Sequence, residues 1–366
     1  MKMSIGVDLH KSQFTVYWKP EGKEGWYVKY PTNERGYRGF EHQVLETKEA
    51  GYRVSIAVET TGNAHYFRNR AEALGVKVVV VNSLKFKVVN ESVKKTDRHD
   101  ASTLAEFLEK EMLPEARLCS RESEELRRLL KVRKRLVETI VMVKNQIHGI
   151  LMGYGIESVR GELQSKKERQ RVKSVLAAHQ LTDAAVEPLF EIIDKLTEEV
   201  KKLEKLIEEK AEGDSMIELL CTIPGAGLIT ASTIRAYIDD IKRFESPKHL
   251  AAYAGLVPWV QISNNTEHYG RITKRGPKEL RTALVQVFLG MVRAKKRTQG
   301  YRILYRYERM KKEKGSGKSI IASARLLTEV IWHMLTKQEP FSPLRMKDPK
   351  LFQKSMEMHA AAFSAA

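Results

Sequence analysis

Residues 4–18, SIGVDLHKSQFTVYW, carry the reading that decides the fold. Ser4 to Val7 is an apolar strand, the polar stretch from Asp8 to Gln13 breaks it, and Phe14 starts a second strand of β-branched and aromatic residues. The chain therefore opens as a hairpin. Working outward, Tyr52–Val58 (YRVSIAV) is a buried-type strand ending at Glu59, and Thr60, Thr61, Gly62 and Asn63 form a turn before a helix near Tyr66–Leu74. Val76–Val81 (VKVVVV) is another buried strand, closed by Asn82 and Ser83. Thr96 reads as an N-cap, with Asp97 and Asp100 in the first turn of a helix running to about Glu111. Strands alternating with helices over residues 1–115 predict an α/β domain with a mixed sheet.

The next hundred residues change period. From Ser123 to about Met152, Leu126, Leu129, Leu136, Ile140, Val143, Ile147 and Ile150 follow a 3,4 spacing interrupted by Arg133; Leu189, Ile193, Leu196, Val200, Leu203 and Ile207 repeat it. Residues 116–213 are thus expected to be long helices in a coiled coil or antiparallel hairpin. Gly213 and Asp214 end the second helix, residues 214–340 read as a separate, mostly helical basic domain, and 341–366 are a tail without clear pattern.

Charge and composition narrow the function. The 366 residues hold 64 Lys or Arg against 46 Asp or Glu, a net charge of +18. Residues 242–318 hold 19 Lys or Arg against 5 Glu and no Asp, a surplus of 14, which marks a polyanion surface with nucleic acid as first partner. No window approaches the roughly 18 uncharged residues of a bilayer span, and Asp8, His10 and Lys11 interrupt any signal-peptide reading. A cytoplasmic protein without a membrane partner is expected. Cys119 and Cys221 are too few for a disulfide framework or a cysteine zinc site, and no two histidines have HxH or HxxxH spacing. The GSGKS at 315–319 fails as a P-loop because Lys312 stands where the leading Gly belongs and no strand precedes it.

Four acids fall where element ends place them: Asp8 after the first strand, Glu59 after the third, and Asp97 with Asp100 on one face of a helix start. Each alone reads as a cap or a solvated charge. Together they repel, and a divalent cation with oxygen preference, Mg²⁺ or Mn²⁺, would offset the repulsion. Two such ions about 3.5–4 Å apart stabilise both oxygens of a phosphodiester displacement. Further on, LLCTIPGAGLITASTIRAYI (219–238) places Pro224, Gly225 and Gly227 in a tight turn between apolar helices. That is either an ordinary glycine-stopped hairpin or a helix-hairpin-helix that offers backbone N–H groups to phosphate.

The strings IGVDLHKSQFTVYW (5–18), AVETTG (57–62) and VVVVNSLKFKVVNESVKKTDRHDASTLAEFL (78–108) resemble the RNase H-like (RuvC-like) domain of DEDD-class insertion-sequence transposases, the insertion-sequence one-ten family that also contains the Piv invertase. FESPKHLAAYAGLVPWVQISNNTEHYGRITKRGPKELRTALVQV (244–287) resembles that family's second signature. The resemblance implies a metal-binding catalytic tetrad at Asp8, Glu59, Asp97 and Asp100. It also implies a nucleophilic serine a few residues past Gly255, Leu256 and Pro258, at Ser263, in a polar loop whose following Gly is here Asn264. Expected nucleic-acid contacts are Gly225, Gly227, Arg271, Lys274, Arg275, Lys278 and Arg281.

The implied activity is transposition or site-specific recombination of DNA, with sites chosen by a structured bridge RNA. A homo-oligomer, dimer or tetramer, is expected because exposed leucine seams would leave a large apolar patch. Three alternatives remain. A Holliday-junction-type nuclease would use the tetrad alone; an actin-like ATPase or sugar kinase would explain IGVDLHKSQ, but the missing Gly-rich adenosine loop and the basic C-terminal third argue against it; a non-catalytic binding protein would leave the carboxylates without purpose.

Overall fold

The computed structural model describes residues 1–83, 85–86, 96–156, 163, 165–178, 184–263 and 266–347, and the chain divides into two units, Met1–Leu118 and Cys119–Ala366. In the first, β1 (Lys2–Leu9), β2 (Gln13–Pro20), β3 (Trp26–Pro31), β4 (Arg53–Glu59) and β5 (Lys77–Val81) make one sheet in the order β3-β2-β1-β4-β5. β2 is antiparallel to both β1 and β3, whereas β1, β4 and β5 run parallel. The helices are α1 (Glu34–Glu49), α2 (Ala64–Glu72) and α3 (Asp97–Glu109).

Period-2 alternation sorts β1 between two cores. Met3, Ile5, Val7 and Leu9 face a cluster with Phe14, Trp18, Phe40 of α1 and Phe67 of α2, in which Phe14 lies 5.2–5.9 Å from the rings of Tyr30, Tyr37, Phe40 and Phe67. The opposite face packs Ala57, Val79 and Val81 on Leu104 of α3. On that face α3 lies directly on β1 at Gly6, where a Cβ would sit 2.0 Å from the Ala101 carbonyl oxygen and 2.7 Å from the Ala105 nitrogen. The sequence reading finds β1, β2, β4, β5 and α3 but passes over β3 and α1. β3 is an edge strand with Trp26 and Tyr27 exposed, so its alternation carries little hydrophobic contrast.

In the second unit the long helices α4 (Arg121–Gly153) and α6 (Glu187–Ala211) pack on each other, with α5 (Lys166–Ala178) between them in sequence. Lys210 reaches Glu125 at 2.9 Å and Arg133 reaches Glu204 at 2.6 Å, so the pair is antiparallel, and the arginine that interrupts the seam finds its carboxylate across it. Ile140, Val143, Ile147 and Leu151 meet Phe190, Ile193 and Val200, with Val172 and Leu176 of α5 closing the cluster. The seams cover each other within one chain, so self-association through them is not needed to hide apolar surface.

α7 (Ser215–Cys221), α8 (Leu228–Ile238), α9 (Pro247–Tyr253), a hairpin of β6 (Pro258–Ser263) and β7 (Thr266–Ile272), then α10 (Lys278–Arg293), α11 (Lys295–Thr298), α12 (Arg302–Lys314), α13 (Ser316–Lys337) and α14 (Pro343–Met346) follow. Leu126, Leu130, Ile207 and Ala211 share a core with Ile217, Leu220, Ile234, Phe288 and Leu327. The break expected at 213–214 therefore falls inside a common core, because the near end of the helical pair is built into the basic region. Among the described residues no helix is long and apolar enough to cross a membrane.

Because α3 approaches β1 within backbone contact distance, Gly6→Val should cost the first unit at least about 3 kcal/mol, at the upper end of overpacking penalties. Denaturant unfolding followed by the fluorescence of Trp18 and Trp26 would measure it; a loss under about 1 kcal/mol would show that α3 can lift without cost.

Candidate metal centre and nucleic-acid interface

Asp8 stands near the carboxyl end of β1 on the face that carries α3. Its side chain is 13% exposed, and its Oδ2 lies 2.9 Å from His10 Nε2. The same nitrogen is 3.5 Å from Asp97 Oδ1 at the start of α3. Among the described residues, Asp8, His10 and Asp97 form a group able to hold a metal ion, each offering one donor atom, all within 4.8 Å of one another. Thr96 caps α3 by accepting a hydrogen bond from the His99 N–H, which fixes the turn bearing Asp97 and Asp100. Burial pushes the Asp8 carboxyl above its ordinary value; His10 opposes this, and the charges of Asp97 and Asp100 add to the upward push.

Glu59, the last residue of β4, lies beyond the Val7–Val58 register pair and accepts a hydrogen bond from Ser83 Oγ at 3.3 Å. The structure thus brings Asp8 and Asp97 together, sets Asp100 within electrostatic reach, and leaves Glu59 on the neighbouring strand outside the close group. His10 is the residue the sequence reading passes over. Its signal is Asp-x-His on extended chain, which turns both side chains to one side, and a search for His pairs does not find it.

The turn between α7 and α8 has a packing reason for its glycines. Gly225 has φ +92°, and a Cβ there would lie 2.4 Å from the Met291 nitrogen and 2.5 Å from the Gly290 carbonyl carbon of α10. Gly227 caps α8, and its N–H donates to Thr230 Oγ1 at 3.0 Å. Beside this turn is a cleft of about 680 Å³ whose walls include Lys201, Lys205 and Arg293, with Glu204 and Glu208 among them. Gly255 (φ +68°) and Gly276 (φ +95°) let two loops touch, since a Cβ would lie 2.3 Å from the Arg275 carbonyl oxygen and 1.9 Å from that of Tyr253, respectively. Arg281 donates to the carbonyls of Ala254 (3.1 Å) and Lys274 (3.3 Å). It is therefore committed to holding those loops, while Arg271, Lys274, Arg275 and Lys278 are exposed. Ser263 is the last residue of β6, in register with Thr266, rather than part of a free loop. Asn264 lies outside the described residues.

A mixed five-stranded sheet with acids at the ends of its central strands, followed by a mostly helical basic region, is consistent with a DEDD transposase. Residues 5–156 match the family model of these transposases, and residues 217–302 match the model of the transposase IS116/IS110/IS902 family. The chain belongs to the IS110 family of transposases. It is 26% identical to the transposase for insertion sequence element IS1111A of Coxiella burnetii, over 78% of this chain and 79% of that protein. It is 27% identical to the pilin gene-inverting protein of Moraxella bovis, over 93% and 98%.

The raised Asp8 carboxyl has a stability consequence. An acid whose native value lies above its unfolded value favours the fold below the ordinary aspartate range and loses that contribution as pH rises through the native value. In chelator at pH 7.5, Asp8→Asn should therefore melt at a higher temperature than the wild type, and the difference should close as pH falls towards 4. A lower midpoint for the variant at pH 7.5 would contradict the sign.

Proposed function

We propose that the chain cuts and rejoins DNA strands as a site-specific recombinase, with a divalent metal at the acidic sheet edge and Ser263 as nucleophile. In this reading the DNA is selected by a structured guide RNA and the working unit is a homo-oligomer. The observation that carries the reading is the convergence of Asp8 and Asp97, with Asp100 in reach, in a segment that matches the transposase family. The order β3-β2-β1-β4-β5 supports the RNase H-like (RuvC-like) reading of the first unit, and the interlocked 3,4 seams of α4 and α6 support the coiled-coil reading.

The donor set fits the metal. Carboxylate oxygens suit Mg²⁺ or Mn²⁺, and one donor atom from each of Asp8, His10 and Asp97 lies within 4.8 Å of the others. Asp8, Asp97 and Asp100, joined by Glu59, would hold it. When bound, such ions stabilise the charge on the attacking and leaving oxygens of a phosphodiester displacement.

Ser263 Oγ bonds to a phosphorus as one strand P–O bond breaks. The freed strand end leaves as a hydroxyl after taking up a proton, and the serine proton passes to a base. One phosphoester replaces another, so rejoining needs no nucleoside triphosphate. Arg271, Lys274, Arg275 and Lys278 hold phosphates as exposed charges, and the Gly225–Gly227 turn is the further backbone contact. The guide RNA is held mainly through the same phosphate chemistry.

On DNA carrying the ends of the element, with its flanking RNA supplied, Ser263→Ala should lose cleavage and the covalent protein–DNA adduct while changing stability by no more than about 0.5 kcal/mol. Asp8→Ala should be equally inactive. Cleavage by Ser263→Ala at the wild-type rate would leave the tetrad-only junction nuclease as the better reading. For DNA affinity, the slope of log K against log salt should shrink by about 1 for Arg275→Ala; an unchanged slope would remove Arg275 from the phosphate contacts.

A further inference from the structure

The imidazole between Asp8 and Asp97 is unlike the rest of the predicted donor set, which is all carboxylate. Nε2 of His10 lies 2.9 Å from Asp8 Oδ2 and 3.5 Å from Asp97 Oδ1. Two readings fit those distances: a side chain that merely bridges two anions, or a nitrogen already standing at the vertex of a coordination shell. The backbone separates them. The His10 carbonyl accepts from Thr32 Oγ1 at 3.0 Å and from Asn63 Nδ2 at 3.4 Å, and its N–H donates to the Gln13 carbonyl at 3.0 Å. Residue 10 is thereby tied to three other segments of the first unit, so the ring is delivered to the acids by a fixed main chain. A surface ion pair gains too little to reward that constraint, and half the side chain (51%) remains open to solvent for an ion to approach.

We propose that His10 Nε2 is a metal ligand alongside Asp8 and Asp97, and that it biases the site towards Mn²⁺ over Mg²⁺. This rests on the metal-dependent reading above and refines it. Mg²⁺ takes oxygen ligands almost exclusively and gives up its waters reluctantly. An imidazole nitrogen is a better partner for a transition ion. A shell of two carboxylate oxygens and one nitrogen therefore leaves Mg²⁺ with one poor ligand and Mn²⁺ with three acceptable ones. His10 is exposed enough that exchanging it does not open the core.

The test is Mn²⁺ binding to the full-length protein, followed by electron paramagnetic resonance, with Mg²⁺ affinity obtained by competition. The wild type should bind Mn²⁺ with a ¹⁴N coupling from a directly bound imidazole. His10→Ala should keep the carboxylate site, lose that coupling and bind Mn²⁺ at least about tenfold more weakly, since losing a ligand should cost no less than losing one of its outer hydrogen-bond partners. Its Mg²⁺ affinity should change less than about twofold. His10→Gln, which preserves side-chain length and polarity, should behave like His10→Ala in its coupling, and matching melting curves would show that both variants are folded. Asp8→Asn should lose the bound Mn²⁺ and the coupling together. Bound Mn²⁺ without a ¹⁴N coupling in the wild type, or a coupling that survives in His10→Ala, would overturn the role of His10 and leave the metal reading standing. A wild type that binds no Mn²⁺ at all would overturn both.

Discussion

The missing side chain at Gly6 is the constraint from which the acidic centre follows. β1 carries Asp8 and α3 carries Asp97 and Asp100, and the two elements are in backbone contact at Ala101 and Ala105. A Cβ at position 6 would lie 2.0 Å from the Ala101 carbonyl oxygen, so β1 and α3 could not keep this approach. The contact is supported from below by aliphatic packing of Leu104 on Ala57, Val79 and Val81, and on the far face of the sheet by the aromatic cluster around Phe14. Local and global electrostatics then oppose one another. Asp97 and Asp100 sit in the first turn of a helix, where negative charge is stabilised by about 0.3–1 kcal/mol. Burial disfavours the charged form of Asp8, His10 opposes that, and the charges of Asp97 and Asp100 add to the upward push. Each acid is in a favourable place on its own element; only the assembly is strained, and it is strained in the sense that a cation relieves.

How much of this could be read from the chain depends on whether a residue's neighbours are near in sequence. β1, β2, β4 and β5 were legible because strands buried on both sides read as apolar runs, and Thr96 was legible because a cap and its helix are adjacent. The seams of α4 and α6 were legible from their period, and so was the anomaly at Arg133. That its partner would be Glu204 of the same chain was not legible, because periodicity says which face is buried and not what buries it. β3 lacks contrast for the reason its edge position gives, and the β6–β7 hairpin was hidden inside a region whose composition reads as helical.

His10 illustrates a different limit. Its neighbours Asp8 and Asp97 lie 2 and 87 positions away in the sequence, and only the sheet and helix bring both to one nitrogen. Asp-x-His alone is too common to draw attention. The acidic tetrad could be proposed because each acid stands at a strand end or a helix start, and a resemblance then matched all four positions; no such pattern supplied the histidine. Conversely, Glu59 was placed correctly at a strand end, and only the fold reveals that it accepts a hydrogen bond from Ser83 and lies outside the close group of Asp8, His10 and Asp97.

In the second unit the glycines and the cations of one motif divide the work. Gly225, Gly255 and Gly276 each stand where a Cβ would collide with backbone, so steric demand alone is enough to fix them, whatever the turn does for phosphate. Arg281 is similarly absorbed, donating to two carbonyls that hold the loops around Gly255 and Gly276. What packing does not explain is the exposed remainder, Arg271, Lys274, Arg275 and Lys278, together with the surplus of 14 positive charges over residues 242–318. Like charges concentrated on one region repel and lower the stability of the free protein. A polyanion would relieve that repulsion, whereas packing alone accounts for the glycines and leaves these cations unexplained.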